Sequence, residues 1–331
     1  MGPKTLQEAI VYFAIPANCR EYLVAQRWPD GVTCPKCGSD KVLFLEKYNR
    51  WHCREKHPAP QFTMKTGTVM EDSPIALDKW LMVMWMVANC KNGISSWEIH
   101  RSTGVTQKTA WFLLHRVRLA MKSENDHKMS GEGGAVEVDE TYIGGKVKNM
   151  HRDRKIKVNA AKNDKAAWKV TQRYPGKTAV MGILDRESRQ VRAKVVPNVR
   201  RETLQAEILN NVNHGSAVYT DQAVAYDSLK DKYIHDTVNH LDTYVRGNVH
   251  TNGLENFWSL MKRNLSGTYV AVEPFHLDAY VDEQMFRYNN RATKDNPLND
   301  ADRFALVVNQ IVGRRMTYKE LTGKNAEARP V

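Results

Sequence analysis

The sequence predicts an α/β protein in which a mixed β-sheet is flanked by helices and preceded by a small metal-binding ribbon and a helical region. Three observations predict it. Three cysteines and a histidine cluster between positions 34 and 57 at metal-ligand spacing. Apolar residues then recur at helical spacing from Leu77 to Leu113. From Ala135 the period changes to two, in strands interrupted by further helical stretches.

At 331 residues the chain has room for a catalytic domain and one or two smaller ones. Its net charge of +12 favours a polyanionic partner, chiefly nucleic acid, over the alternative of a merely basic enzyme. The longest apolar patch, Trp80 to Ala88, is too short to cross a membrane. The polar start from Met1 to Glu8 has no signal-peptide pattern, and Leu6 stands where a myristoylation signal needs Ser or Thr. A cytoplasmic protein is expected. Five cysteines is an odd number with three of them clustered, which reads as a metal site and not a disulfide framework.

Residues 1–30 read as helical, with Leu6, Ile10, Phe13, Cys19, Tyr22, Leu23 and Trp28 as apolar points. Residues 31–64 hold CPKCG and WHCREKH, a C-x2-C, fifteen residues and then C-x3-H. Two such knuckles present four ligands tetrahedrally, the arrangement that a structural Zn2+ needs. Cys34, Cys37 and Cys53 are three ligands; His57 is the fourth, with His52 its competitor.

Residues 65–125 form a helical region. A helix begins at Ser73-Pro74 and buries Leu77, Trp80, Leu81, Met84, Trp85 and Ala88. Two helices follow, the first capped by Ser95 or Ser96, a turn at Gly104, the second capped by Thr106. Ile94, Trp97, Ile99, Val105, Ala110 and Leu113 have the spacing of a helix-turn-helix. Gln107, Lys108 and Thr109 sit where a recognition helix meets bases, and Arg116 lies farther along it. A plain helical hairpin is the alternative. The polar, Gly-rich stretch from Ser123 to Gly134 marks a boundary.

Residues 130–295 read as one α/β domain, with a basic insertion at 146–177 that carries Arg152, Arg154 and Lys155 and is either a DNA-binding arm or a solvated loop. AVEVDETYI is a strand on which Glu137, Asp139 and Thr141 share one face. TAVMGILD and QVRAKVVPN are strands, RETLQAEILNNV a helix, and SAVYTD a strand ending at Asp221. AVAYDSLKD is a short helix, YIHDTVNH a strand, and HTNGLENFWSLMKRN a helix capped by Thr251. On that last helix Asn252, Glu255, Ser259 and Lys262 share a polar face, with Leu254, Phe257, Trp258, Met261 and Leu265 inside. Residues 296–331 read as a short helical tail.

The order β-β-β-α-β-α-β-α is that of an RNase H-like domain. In that order Asp139, Asp221 and Glu255 can meet at one sheet edge. Three carboxylates at one point repel unless divalent cations neutralise them, and an all-oxygen ligand set suits Mg2+ or Mn2+. Two such ions can activate the attacking oxygen and stabilise the leaving oxygen of a phosphoryl transfer. Plainer roles stay open for each: Glu137 or Glu140 as the strand ligand, Asp221 as a helix cap, Glu255 as a surface partner of Ser259 or Lys262. Lys262 and Arg263 are placed to hold DNA phosphates. His250 and Asn252 either touch the same phosphates or cap the helix.

Taken together, CPKCGS, GISSWEIHRSTGVTQKTAWFLLHRVRLAM, VEVDETYIGGK, VYTDQAVAYDSL, HTNGLENFWSLMKRNLSGTY and HLDAYVDEQMFRYNNR resemble a bacterial insertion-sequence DDE transposase of the group with an N-terminal zinc ribbon. The resemblance implies Asp139, Asp221 and Glu255 as the DDE triad, with Lys262 the lysine that follows it. It implies Mg2+-dependent cleavage at element ends and attack of the freed 3′-OH on target DNA, by a homo-oligomer that is at least a dimer on DNA. The ribbon departs from the group's closing C-x2-C, since here Cys53 is followed by His57. A transposase-derived DNA-binding protein without cleavage activity, and a nuclease that cuts without joining, are the alternatives.

Overall fold

A computed structural model describes residues 2–124, 127–131, 133–145, 149–153, 155–156, 176–221, 233–238, 250–294 and 296–323, the side chains of 221 and 235–238 excepted. The chain divides into two compact units, Met1–Lys122 with Asn290–Val331, and Ser123–Asn289.

In the first unit, helices α1 (Leu6–Phe13) and α2 (Pro16–Arg27) precede an antiparallel ribbon of β1 (Val42–Leu45), β2 (Arg50–Cys53) and β3 (Gln61–Phe62). Val42 pairs with Cys53 and Trp51 with Phe62. Trp51 stacks on Phe62 at 5.9 Å between centroids, and Phe44 lies 4.9 Å from Trp51. A few rings are too little apolar area to fold a ribbon this small, so its ligand cluster must contribute. Helix α3 (Leu77–Asn89) is the centre of the unit, with Trp80, Leu81, Val83, Met84, Trp85, Val87 and Ala88 all buried. It starts later than the Ser73-Pro74 expectation, because Ser73 instead accepts a hydrogen bond from the Trp80 indole at 3.1 Å.

Helices α4 (Ser96–Thr103) and α5 (Gln107–Met121) follow. Ser95 and Glu98 form a reciprocal capping box, Gly104 ends α4 at φ 71°, and Thr106 caps α5. Trp97, expected in the apolar set of this pair, is 58% exposed and lies against His100 on its own helix. The expected short helical tail is present as a helix, Asp300–Asn309, and it packs on α3. Its Phe304 lies 5.0 Å from Trp85 and 5.7 Å from Phe13.

The second unit is built on a five-stranded sheet of β4 (Ala135–Ile143), β5 (Thr178–Asp185), β6 (Val191–Val196), β7 (Ala217–Asp221) and β8 (Ile234–Val238), in the order β6-β5-β4-β7-β8. The first three pair antiparallel and the last two join in parallel, which is the mixed sheet expected. Helix α6 (Arg201–Asn211) puts Leu204 and Ile208 into a core with Val136, Val138, Ile183 and Val218. Helices α7 (Asn252–Asn264) and α8 (Leu277–Asn289) form a second core with Val180 and Leu184. The strand pleat sends alternate residues to opposite faces. Val136 and Val138 therefore serve the α6 side, and Glu137 and Asp139 face α7. The short helix read in AVAYDSLKD lies outside the described residues, as does most of the basic insertion.

Candidate functional site

The ligand cluster of the ribbon has the composition and spacing that a tetrahedral cation needs. One ligand atom from each of Cys34, Cys37, Cys53 and His57 lies within 4.8 Å of the others. Cys34 Sγ is 3.4 Å from His57 Nε2, and Cys37 Sγ is 3.7 Å from Cys53 Sγ. The other nitrogen of the imidazole, Nδ1, is 3.0 Å from the Pro58 carbonyl, a contact that turns Nε2 towards the thiols. His52 lies on β2, paired with Leu43, and is not in the cluster. Burial acts to raise the Cys34 thiol. Hydrogen bonds from the Lys36 and Cys37 backbone and from the neighbouring thiols outweigh it and bring Cys34 down to about 7. A knuckle that stabilises a thiolate in this way is suited to Zn2+.

The carboxylate site starts from two residues of β4. Glu137 is 1% exposed, a cost that is tolerable only where donors surround the charge. They do. One oxygen accepts the backbone N–H groups of Gly253 at 2.8 Å and Leu254 at 3.1 Å, and the other accepts Arg186 Nε at 2.9 Å with His250 Nδ1 3.3 Å away. Glu137 thus caps the N-terminus of α7 from across the sheet, where the free N–H groups and the helix dipole favour an anion. Thr251, the expected cap, makes no side-chain capping bond. Glu137 is also less suited than Asp139 to the alternative ligand role, because it is buried and its charge is already matched by Arg186. A side chain at Gly253 would put its Cβ 2.8 Å from Glu137 Oε2, so glycine is what lets the carboxylate approach. Arg186 completes the clasp. Its guanidinium donates to the His250 carbonyl at 2.8 Å and lies 4.5 Å over the Tyr219 ring of β7.

Two residues along β4 from Glu137, Asp139 meets the next turn of the same helix. Its Oδ2 accepts the Trp258 indole N–H at 3.0 Å, and its Oδ1 accepts the Glu140 backbone N–H at 2.8 Å. Asp139 pairs with Gly182 on β5, and a Cβ there would lie 2.6 Å from Trp258 Cζ2. Helix α7 therefore rests on a strand from which a side chain is missing. The expected division of α7 holds: Asn252, Glu255, Ser259, Lys262 and Arg263 are exposed, and Leu254, Phe257, Trp258 and Met261 are buried. Glu255 precedes Trp258 by three residues, so the two are surface neighbours on the helix.

Asp221 is the last residue of β7. The parallel register ends with Glu137 paired to Tyr219, and Asp139 and Asp221 each follow that pair by two residues on their own strands. The frame therefore puts Asp139 and Asp221 each two residues past the last paired position of adjacent strands, and Glu255 on the helix hydrogen-bonded to Asp139.

The expected DNA contacts divide. Lys108 is exposed, 4.8 Å over the Tyr318 ring, and Gln107 donates to Ser96 Oγ at 2.9 Å, which ties α5 to α4. Thr109 donates its backbone N–H to the Thr106 cap. Arg116 contradicts its expectation. It is 4% exposed, donates to the Glu71 carbonyl, and packs over Trp80 and Phe112, so it belongs to the core of the first unit and not to a surface. Arg152 is exposed and Lys155 half-buried; Arg154 lies outside the described residues. The roles of Glu137, Arg186 and Trp258 escape sequence reasoning because their partners are distant in the chain. The one local signal is Gly253 at the start of a helix, where a close approach requires it.

Residues 131–289 match the model of the ISXO2-like transposase domain, and residues 17–55 that of the transposase zinc-ribbon domain. The chain is 30% identical over 254 residues to an uncharacterized protein in transposable element ISH50 of Halobacterium salinarum, covering 74% of this chain and 81% of that one. It is 35% identical over 101 residues to an uncharacterized transposase-like protein of Haemophilus influenzae, covering 30% and 81%. Among solved structures it is similar to a chain in a simian T-cell lymphotropic virus intasome complexed with PP2A regulatory subunit B56 gamma, at 13% identity, with 63% of this chain and 70% of that one covered. The TM-score there is 0.30, too low to bear on the fold. No described helix is long and apolar enough to cross a membrane.

Proposed function

Because this chain belongs to the family of ISXO2-like transposases, we propose that it cleaves the ends of an insertion sequence and joins the freed 3′-OH ends to target DNA. Asp139, Asp221 and Glu255 are the carboxylates that hold the reaction's divalent cations. The observation that carries this reading is the shared frame: Asp139 is hydrogen-bonded to the helix that bears Glu255, and Asp139 and Asp221 each lie two residues past the last paired position of adjacent parallel strands. Their all-oxygen donor set fits Mg2+ or Mn2+. Such ions, when bound, activate the attacking oxygen and stabilise the leaving one.

The residues of the chain do the rest. Glu137 and Arg186 fix α7 so that Glu255 faces outward at a set distance from β4. Lys262 and Arg263, exposed at the far end of α7, hold phosphates of the DNA end. The ribbon, its Cys34, Cys37, Cys53 and His57 on Zn2+, acts with α4 and α5 to bind the terminal inverted repeats. Lys108 supplies charge there, Gln107 and Thr109 line the same turn, and Arg152, Arg154 and Lys155 add a basic arm. Two element ends must be held at once, so the working assembly is at least a dimer on DNA, acting in the cytoplasm where its DNA lies.

A pre-cut, end-labelled element terminus incubated with supercoiled target plasmid tests the reaction class. Mg2+-dependent joining of label to plasmid is the expected product. Hydrolysis without joining would make the protein a nuclease, and specific binding with neither would make it a DNA-binding protein.

A further inference from the structure

A carboxylate held in one orientation binds a metal more tightly than one free to turn, and the residue that holds Asp139 lies on the helix that carries the third carboxylate. We propose that Trp258 is a positioning residue that orients Asp139 for the metal and fixes its distance from Glu255. This rests on the reading of Asp139 as a ligand given above.

Three observations carry it. First, the two oxygens of Asp139 have different donors, Trp258 Nε1 on Oδ2 at 3.0 Å and Glu140 N on Oδ1 at 2.8 Å, so rotation about the last side-chain bond is stopped at both ends. Second, the indole itself cannot turn. It is 4% exposed, it meets the Phe257 ring edge-on at 5.0 Å, and its six-membered ring occupies the notch at Gly182, where any Cβ would lie 2.6 Å from Cζ2 and 2.8 Å from Cη2. Gly182 is the cross-strand partner of Asp139, so the notch is cut opposite the residue that the indole holds. Third, Glu255 is three residues before Trp258, on the adjacent ridge of α7. One side chain therefore sets both the orientation of the strand carboxylate and its spacing from the helix carboxylate.

The chemistry suits a neighbour of a cation. An indole N–H is a donor only and carries no charge. It fixes a carboxylate without adding the repulsion that a lysine or arginine in its place would impose on a divalent ion. Partners of this kind, which orient a ligand without touching the metal, account for about 10–100-fold in metal affinity when removed.

The test uses the full chain with Mg2+ alone as the probe. The indole N–H resonance of Trp258 is assigned in wild type through its contact with the Phe257 ring, and Trp258→Phe keeps an aromatic ring but loses the donor and part of the ring that fills the Gly182 notch. The resonance is then followed through a Mg2+ titration, and binding is measured in parallel by calorimetry for wild type, Trp258→Phe and Asp139→Asn. The expected result is a Trp258 resonance that moves with Mg2+ occupancy in wild type. Mg2+ binding in Trp258→Phe should be about tenfold or more weaker at a thermal midpoint within a few degrees of wild type. A Trp258 resonance unmoved at Mg2+ saturation, with binding that Asp139→Asn abolishes and Trp258→Phe leaves intact, overturns the positioning role and leaves the triad standing. That spectrum decides the matter even if Trp258→Phe fails to fold. Binding of Mg2+ that Asp139→Asn does not affect overturns both the role and the triad beneath it.

Discussion

Replacing Glu137 by glutamine turns one acceptor into a donor at a spot ringed by donors: the Gly253 and Leu254 N–H groups and Arg186. The new amide must face one of them, and Arg186 loses its buried counter-charge. Urea unfolding should show a loss of about 3 kcal/mol, in the range for breaking one half of a buried pair. Gly182→Ala is a second test at this scale, since its methyl would overlap the Trp258 ring. Overpacking of this kind costs about 1–3 kcal/mol, and the same measurement reads it. A Gly182→Ala protein as stable as wild type would mean that α7 does not rest on β5 as described. Neither residue announces itself in the sequence. Glu137 reads as an alternative metal ligand, because its parity on the strand matches that of Asp139 and its capping partners lie 116 and 117 residues away. The side of the sheet that Asp139 faces was legible, because the strand's alternation sets it.

At the scale of elements, the ribbon and α5 are where local pattern succeeded and failed. The C-x2-C and C-x3-H spacings prescribe a ligand cluster almost without reference to the rest of the chain, and the structure brings all four residues together. The thiolate of Cys34 is favoured by its knuckle, with a folded value of about 7 against an ordinary 9.0. For an acid whose value is depressed, the favourable contribution is present above the unfolded value and lost as pH falls through the folded one. Burial raises the Cys53 thiol, so zinc affinity should already decline as pH drops towards 7, and fall most steeply below it, where Cys34 also takes up its proton. A zinc-sensitive dye titrated from pH 8 to pH 5 measures this, and a flat profile would argue against a thiolate-held cation. On α5 the pattern misled. Arg116 looks like a nucleic-acid contact, since a basic residue near the recognition turn is what such helices carry. Its burial under Trp80 and the Glu71 carbonyl comes from α3 and its preceding loop, which no local pattern reveals. Lys108→Ala should lower the salt-dependence slope of DNA binding by about 1, whereas Arg116→Ala should leave that slope unchanged and lower stability. Equal slopes for Lys108→Ala and wild type would remove α5 from the DNA surface.

Across the whole molecule, the strand order β6-β5-β4-β7-β8 does what no single motif does. It sets the first and fourth strands side by side and in parallel, so that positions 82 residues apart in sequence come level. The period-two alternation and the order of elements made this sheet legible before any coordinates. The placement of Asp300–Asn309 in the first unit was not legible, because the apolar side of that helix is short and its partners Trp85 and Phe13 lie more than two hundred residues earlier. On the proposed reading the triad's three members are strictly interdependent, since each would supply ligands to cations that no one carboxylate can hold. The most direct measurement is strand transfer of a pre-cut element end in Mg2+ by wild type, Asp139→Asn, Asp221→Asn and Glu255→Gln, each first shown to bind that DNA as wild type does. The account predicts joined product from wild type and a loss of at least about a thousandfold from each of the three variants. Undiminished joining by any one of them would contradict it.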